Sequence, residues 1–120
     1  MGERVLIDTD SLIDYYKDGA ELEPSDTHHV SEVTVYEFIR GTKDMGEAKK
    51  MLEQSFLVIW LDNRIVMKAG EIWRALKAKG ESIDDRDLMI GATAIVEGLK
   101  LLTRNAGHYA KLREHGLVFY

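Results

Sequence analysis

Cysteine does not occur in the 120 residues, so neither a disulfide nor a thiolate zinc centre holds this fold. That composition suits a reducing cytosol, and a cytoplasmic location is the expectation. Proline is almost missing as well. Pro24 is the only one, and the stretch around it, Gly19 to Thr27, reads as a surface loop. No apolar run approaches the ~20 residues of a membrane span, and the start lacks the basic-then-apolar layout of a signal peptide. Leu6 stands where a myristoylation signal wants Ser or Thr. A basic surplus is absent too: the formal net charge is −5, which argues against a broad basic surface for nucleic acid. A nuclease stays compatible with that charge if its acidic residues gather in one metal site while the rim remains basic. Arg64, Lys68, Arg74, Lys77, Lys79, Lys100, Arg104, Lys111 and Arg113 are candidates for such a rim.

What is present is a globular composition, 45% hydrophobic and 31% charged, sized for one domain over 1–120. The chain is organised around Arg4-Val5-Leu6-Ile7-Asp8-Thr9-Asp10-Ser11-Leu12. Three apolar residues without polar alternation predict a strand buried on both faces. Asp8 then stands where that strand leaves the sheet, and Thr9 to Ser11 offer caps for a helix over Leu12, Ile13, Tyr15 and Tyr16. The carboxyl ends of parallel strands are where open α/β sheets place their sites.

Downstream, His28 to Ser31 predicts a short second strand, whose adjacent histidines point to opposite faces and so make a poor metal pair. Ser31 to Thr42 predicts a helix with Ser31 as N-cap, Val35, Phe38 and Ile39 on its apolar face, and Gly41 as C-cap. Glu37 falls nearer that packed face than a solvating charge usually sits. Gly46 to Gln54 predicts a further helix, and Phe56 to Leu61 a second buried strand. Asn63 to Lys79 has the most regular helical spacing, with Ile65, Val66, Ala69, Ile72, Trp73 and Leu76 expected in the core and Gly80 ending it. Asp84 and Asp85 occupy the first turn of a helix running to Gly98, where acidic residues suit the helix dipole. Asp87 lies near the start of that helix, beside small residues Gly91 to Ala94 that let it press against a sheet; a carboxylate there requires a partner or a metal. Leu101 to Thr103 predicts a strand, Ala106 to Glu114 a helix and Leu117 to Tyr120 a last strand. Apolar runs alternating with amphipathic helices give a three-layer α/β/α fold with a mainly parallel sheet.

Ile7 to Leu12, and Ser31 to Glu37 with Gly41, resemble the first two motifs of PIN domains; Asp87 to Ala94 and Leu102 to Asn105 resemble the last two. Their order and spacing are similar to the small VapC toxins of toxin–antitoxin pairs, over nearly the whole chain. The resemblance implies a Mg²⁺- or Mn²⁺-dependent endoribonuclease, held inactive by a VapB-type antitoxin and frequently a homodimer. Carried over by position, Asp8, Glu37 and Asp87 match the three main acidic residues. Asn105 matches a position that is acidic in many PIN domains, and His108 stands where another acidic residue is common. These departures leave open whether Asp84 or Asp85 completes the cluster.

The chemistry agrees with that likeness. Phosphodiester hydrolysis needs an activated water and stabilised charge on phosphate oxygens, which Mg²⁺ supplies when carboxylates fix it and leave positions free. Carboxylates without thiolates favour a hard, oxygen-binding cation. Thr9 and Thr103 are placed to orient carboxylates or water. Three rival readings compete. Asp8-Thr9-Asp10 after a strand also fits a haloacid-dehalogenase-like phosphatase, Asp62 at a strand end fits a receiver-type module, and a PIN-like domain can serve as a silent binding module.

Overall fold

The computed structural model describes residues 2–120. Its five strands, β1 (Arg4–Ile7), β2 (Thr27–Ser31), β3 (Leu57–Ile59), β4 (Lys100–Leu102) and β5 (Val118–Phe119), form one sheet in the order β3-β2-β1-β4-β5. Every pairing is parallel. Six α-helices connect them: α1 (Thr9–Asp18), α2 (Glu32–Ile39), α3 (Met45–Ser55), α4 (Asn63–Ala78), α5 (Asp85–Glu97) and α6 (Ala106–Tyr109), the last continuing as a 3₁₀ turn over Ala110–His115.

β1 is the central strand, and the pattern of its side chains explains the layers. Val5 and Ile7 pack with Leu12, Val30, Val35, Leu52 and Phe56 beneath α1, α2 and α3. Leu6 points the other way, into a second core with Ile65, Ile72, Leu76, Ile90 and Leu101 beneath α4 and α5. Val5, Leu6 and Ile7 are all fully buried, which is why the run carries no polar alternation. The chain leaves β1 toward β2 and β3, then returns to the other side for β4 and β5. That reversal puts a topological switch point between β1 and β4, and α5, which feeds back into β4, begins at the same carboxyl edge.

Four expectations are corrected. β3 is shorter than Phe56–Leu61 and is an edge strand rather than a buried one, with Leu57 56% exposed and Val58 and Ile59 only partly buried. Val66 and Trp73 are exposed on α4 with Met67 rather than buried, so the packed stripe narrows to Ile65, Ala69, Ile72 and Leu76. Gly41 is not a left-handed cap: α2 ends at Arg40 in right-handed geometry, and Gly41 has no positive φ. The last predicted helix tightens into a 3₁₀ turn after Tyr109. Gly98, by contrast, ends α5 at φ +65°, donating to the Ala94 and Ile95 carbonyls.

The close approach expected from the small residues of α5 is centred on Gly91. A side chain there would strike Leu112 Cδ1 and press toward the Tyr109 ring. Both Leu112 and Tyr109 are buried, leaving little room to yield. Gly91→Leu should therefore lower unfolding stability by about 1–3 kcal/mol through overpacking, read as a fall in the urea midpoint without a change in slope.

Candidate functional site

The cleft at the switch point has a volume of about 280 Å³ and is lined by Asp8, Thr9, Asp10, Glu37, Asp84, Arg86, Asp87, Ile90, Asn105, His108 and Tyr109. Asp8 is its floor. It is only 3% exposed, and its desolvation is offset by well-placed donors. Oδ1 accepts from the Ser11 amide at 3.0 Å as the N-cap of α1, and Oδ2 accepts from the Thr103 hydroxyl at 2.5 Å. Thr103 is fixed in turn, since its Oγ1 accepts from the Asn105 amide at 2.9 Å. The backbone ties the same corner together, with Asp8 N donating to Leu102 O at 3.1 Å.

Glu37 enters from α2. Thr9 Oγ1 donates to its Oε1 at 2.7 Å, and the Thr34 hydroxyl stands 3.1 Å from Thr9 Oγ1. Because Thr9 spends its proton on Glu37, the proton in the Thr34–Thr9 pair comes from Thr34. The Ser31 hydroxyl donates to Thr34 at 3.5 Å. The hydroxyls thus run in one direction toward the carboxylate. Its other oxygen, Oε2, accepts from Arg86 Nη1 at 3.0 Å, and Arg40 Nη2 stands 3.9 Å away.

Asp87 sits in the first turn of α5, with 27% of its side chain exposed and His108 Nδ1 at 3.8 Å. Burial pushes its carboxyl above the usual carboxylate range, and the negative charge of Asp84 adds to the rise. The neighbouring Tyr109 hydroxyl, His108 and Arg86 pull the other way. Tyr109 is itself pushed well above the usual phenol range, chiefly by burial and then by the charges of Asp8, Asp87 and Glu37. One buried hydroxyl therefore senses all three carboxylates.

The remaining sequence candidates divide. Asp84 lines the cleft but caps α5 and pairs with Arg86 at 3.1 Å; that guanidinium, with the Arg86 amide, holds its carboxyl below the usual range. Asp85 is exposed and does not line the cleft. Asn105 lines it and donates from Nδ2 to Asp10 Oδ2 at 2.7 Å. The expected basic rim is not there. Arg64 pairs with Asp62 and Glu97, Lys79 with Glu114, Lys100 with Glu3 and Arg104 with Asp14. Arg86, Arg40, Thr34 and Tyr109 went unnoticed as site residues. Arg86 and Tyr109 had a faint signal in their spacing, one position before Asp87 and one after His108.

A divalent ion suits this donor set, which is made of carboxylate, hydroxyl and amide oxygens facing one cleft. The site is not a closed cage. Among the described residues, no three acidic or histidine side chains are gathered tightly enough to hold an ion as they stand. Both oxygens of Glu37 are engaged by internal donors, and so are both of Asp8. Mg²⁺ keeps several waters and needs only one or two direct carboxylates, so the cleft fits a cation bound partly through water.

The comparisons agree with the geometry. The PIN-domain profile matches residues 5–113. The chain belongs to the PIN-domain family. It is 36% identical over 119 residues to Ribonuclease VapC1 of Methanocaldococcus jannaschii, covering 98% of this chain and 87% of that one. The fold is shared with VapBC-1 of nontypeable Haemophilus influenzae (TM-score 0.81, 21% identity, 98% and 96% of the two chains). It is shared also with VapBC2 of Rickettsia felis bound to a promoter DNA fragment (TM-score 0.78, 19% identity, 98% and 97%).

The rival readings lose their footing in this PIN domain. Asp62 caps α4 through the Ile65 amide, beyond the edge strand and outside the cleft, so it is no phospho-acceptor at a central strand. No lysine lines the cleft among the described residues, whereas the phosphatase mechanism calls for one.

The raised carboxyl of Asp87 makes a signed prediction. A carboxylate whose folded-state value lies above its unfolded value binds more protons in the folded state, so stability falls as pH rises through that window. The penalty is complete above the folded value and gone below the unfolded one. Asp87→Asn should therefore melt higher than the parent at pH 7 in chelator, with the difference closing as pH falls below about 4. A mutant less stable at pH 7 would show that Asp87 is held as a helix-capping or paired charge instead.

Proposed function

We propose that this PIN domain is a divalent-metal-dependent endoribonuclease, the toxin of a VapBC-type toxin–antitoxin pair. The observation that carries this is the single cleft at the carboxyl edge of the parallel sheet that Asp8, Glu37 and Asp87 all line. The kinship with a chain named as a ribonuclease supports it. When bound, Mg²⁺ or Mn²⁺ supplies an activated water and neutralises charge developing on the phosphate. Asp8 and Asp87 would hold the ion directly, and Glu37 would hold it directly or through water. Thr103 aims Asp8, while Thr9 aims Glu37 and, through Thr34, shares its orientation with the N-cap of α2. Asn105 keeps Asp10 turned aside through its amide, and Asp84 anchors the first turn of α5. A carboxylate corner at Asn105 is absent, so one ion is the simpler occupancy.

The partners follow from the kinship with a VapC ribonuclease and with VapBC complexes. The substrate is RNA, and the antitoxin is of VapB type, reaching the acidic cleft with a basic side chain of its tail. An alanine scan of that tail should find one Arg or Lys whose loss releases most of the nuclease activity; a scan in which only apolar positions matter would overturn charge replacement. A homodimer is expected as well, and sedimentation would test it.

Catalysis gives the direct test. Asn keeps the capping oxygen that Ser11 needs, so Asp8→Asn should fold while losing the charge that holds the cation. RNA cleavage in Mg²⁺ or Mn²⁺ should fall by about 10²-fold or more. In the parent, a hundredfold excess of Mn²⁺ over its dissociation constant should add roughly 2.7 kcal/mol of stability, and the variant should gain far less. Undiminished cleavage by a nuclease-free preparation of Asp8→Asn would sink the role given to Asp8.

A further inference from the structure

Glu37 is not waiting for a cation; it already has one. Arg86, in the first turn of α5 between Asp85 and Asp87, donates through Nη1 to Glu37 Oε2 at 3.0 Å. Its Nε and Nη2 meanwhile hold Asp84 Oδ1 and Oδ2 at 3.1 and 3.4 Å. The pair is lopsided in exposure: the Arg86 side chain is 53% exposed, while that of Glu37 is 11% exposed. The carboxylate is fixed in the cleft by Thr9, and the guanidinium leans over it from the mouth. Two consequences follow. A divalent ion that binds Glu37 Oε2 directly competes with Arg86 for that oxygen. And the displaced guanidinium stays at the cleft, because Asp84 holds it by the opposite edge.

A guanidinium has two hydrogen-bonding edges, so an arginine held by one still presents a planar fork with the other. Released from Glu37, the Nη1 edge of Arg86 would face the mouth of the cleft, where an RNA backbone enters to reach the carboxylates. The local charge changes in the same direction. An incoming divalent ion offsets the carboxylates that attract Arg86, and an incoming phosphate brings negative charge to its freed edge. None of the nine other basic residues considered for a rim lines the cleft, and Arg86 is the one lysine or arginine among the described residues that line it.

We propose that Arg86 is the resident cation of this site, neutralising Glu37 in the metal-free protein, yielding it to the divalent ion, and then pairing with a backbone phosphate of the RNA. This rests on the metal-dependent ribonuclease reading above.

Arg86→Gln separates the two ideas. Without RNA, calorimetry should show Mn²⁺ binding about two- to fivefold tighter than in the parent, the fold-change matching the loss of a partly exposed ion pair. With Mn²⁺ present, a cleavage-resistant oligonucleotide substituted at its 2′-hydroxyls should bind more weakly. The slope of log affinity against log salt should shrink by about 0.7, the share of one phosphate contact on a single strand. Mn²⁺ affinity unchanged or weaker in Arg86→Gln overturns the resident-cation role, and an unchanged salt slope overturns the phosphate contact. Asp87→Asn is the control. If the parent takes up no Mn²⁺ and Asp87→Asn behaves like it, the metal-site reading fails and takes this proposal with it; parental Mn²⁺ binding that Arg86→Gln leaves untouched overturns this proposal alone.

Discussion

The site depends on a single constraint: a carboxylate must be accommodated at the end of a strand that is buried on both faces. β1 has nowhere to put a polar residue until the sheet ends, and Asp8 is the first residue past that end. At 3% exposure a free carboxylate would be costly. Asp8 instead receives the Ser11 amide and the Thr103 hydroxyl, one donor from the helix that follows its own strand and one from the neighbouring strand. These bonds lock β1 to the turn after β4 and start α1 at a fixed angle. The geometry that makes Asp8 available to a cation is thus the geometry that closes the fold, and the two cannot be varied separately.

The same economy governs the other two carboxylates, in different degrees. Glu37 is neutralised, by hydroxyls on one oxygen and by Arg86 on the other. Asp87 is the least compensated: burial and the charge of Asp84 outweigh Tyr109, His108 and Arg86, and its carboxyl is pushed up. Destabilised charge is what a cation site is made of, since the ion relieves in the bound state what folding tolerated in the free one. Tyr109, buried and lining the same cleft, adds apolar bulk there, and a less polar surrounding strengthens each charge on the others.

The fold was legible because its signals are collective. Buried parallel strands show as unbroken apolar runs, α5 shows as small residues behind an aspartate, and the order of elements leaves little choice of topology. Asp8, Glu37 and Asp87 were legible for a related reason, since each breaks a hydrophobic pattern at the place where an element starts or packs. What stayed hidden depends on which surface a neighbour covers. The run at β3 reads like β1, yet only the sheet order reveals it as an edge. Trp73 and Val66 keep helical spacing with the core but fall just outside the arc that α5 covers. The basic rim failed because none of its candidates comes to line the cleft, and some are also taken up by acids such as Glu97 for Arg64 or Asp14 for Arg104, far apart in sequence and met only once folded. Arg86 was hidden by position, because in a first turn beside Asp84 and Asp85 it looks like a local ion pair, and only the fold carries it across to α2.

That failed rim bears on how an acidic chain comes to handle a polyanion. Long-range attraction is weak when arginines and lysines are neutralised by partners a few ångströms away, since a phosphate sees the pair rather than the cation. Binding must then be earned at short range, inside the cleft. There the carboxylates repel phosphate until a divalent ion reverses the local sign, and Arg86 is attracted to Glu37 until that same ion competes for it. On the proposed reading, a metal-free cleft is closed to RNA twice, by its net charge and by the engagement of its nearest guanidinium. Both obstacles are removed by one event, which couples substrate binding to cation binding without any movement of the backbone. A basic rim would undo that coupling by drawing RNA to the protein before the cation had arrived.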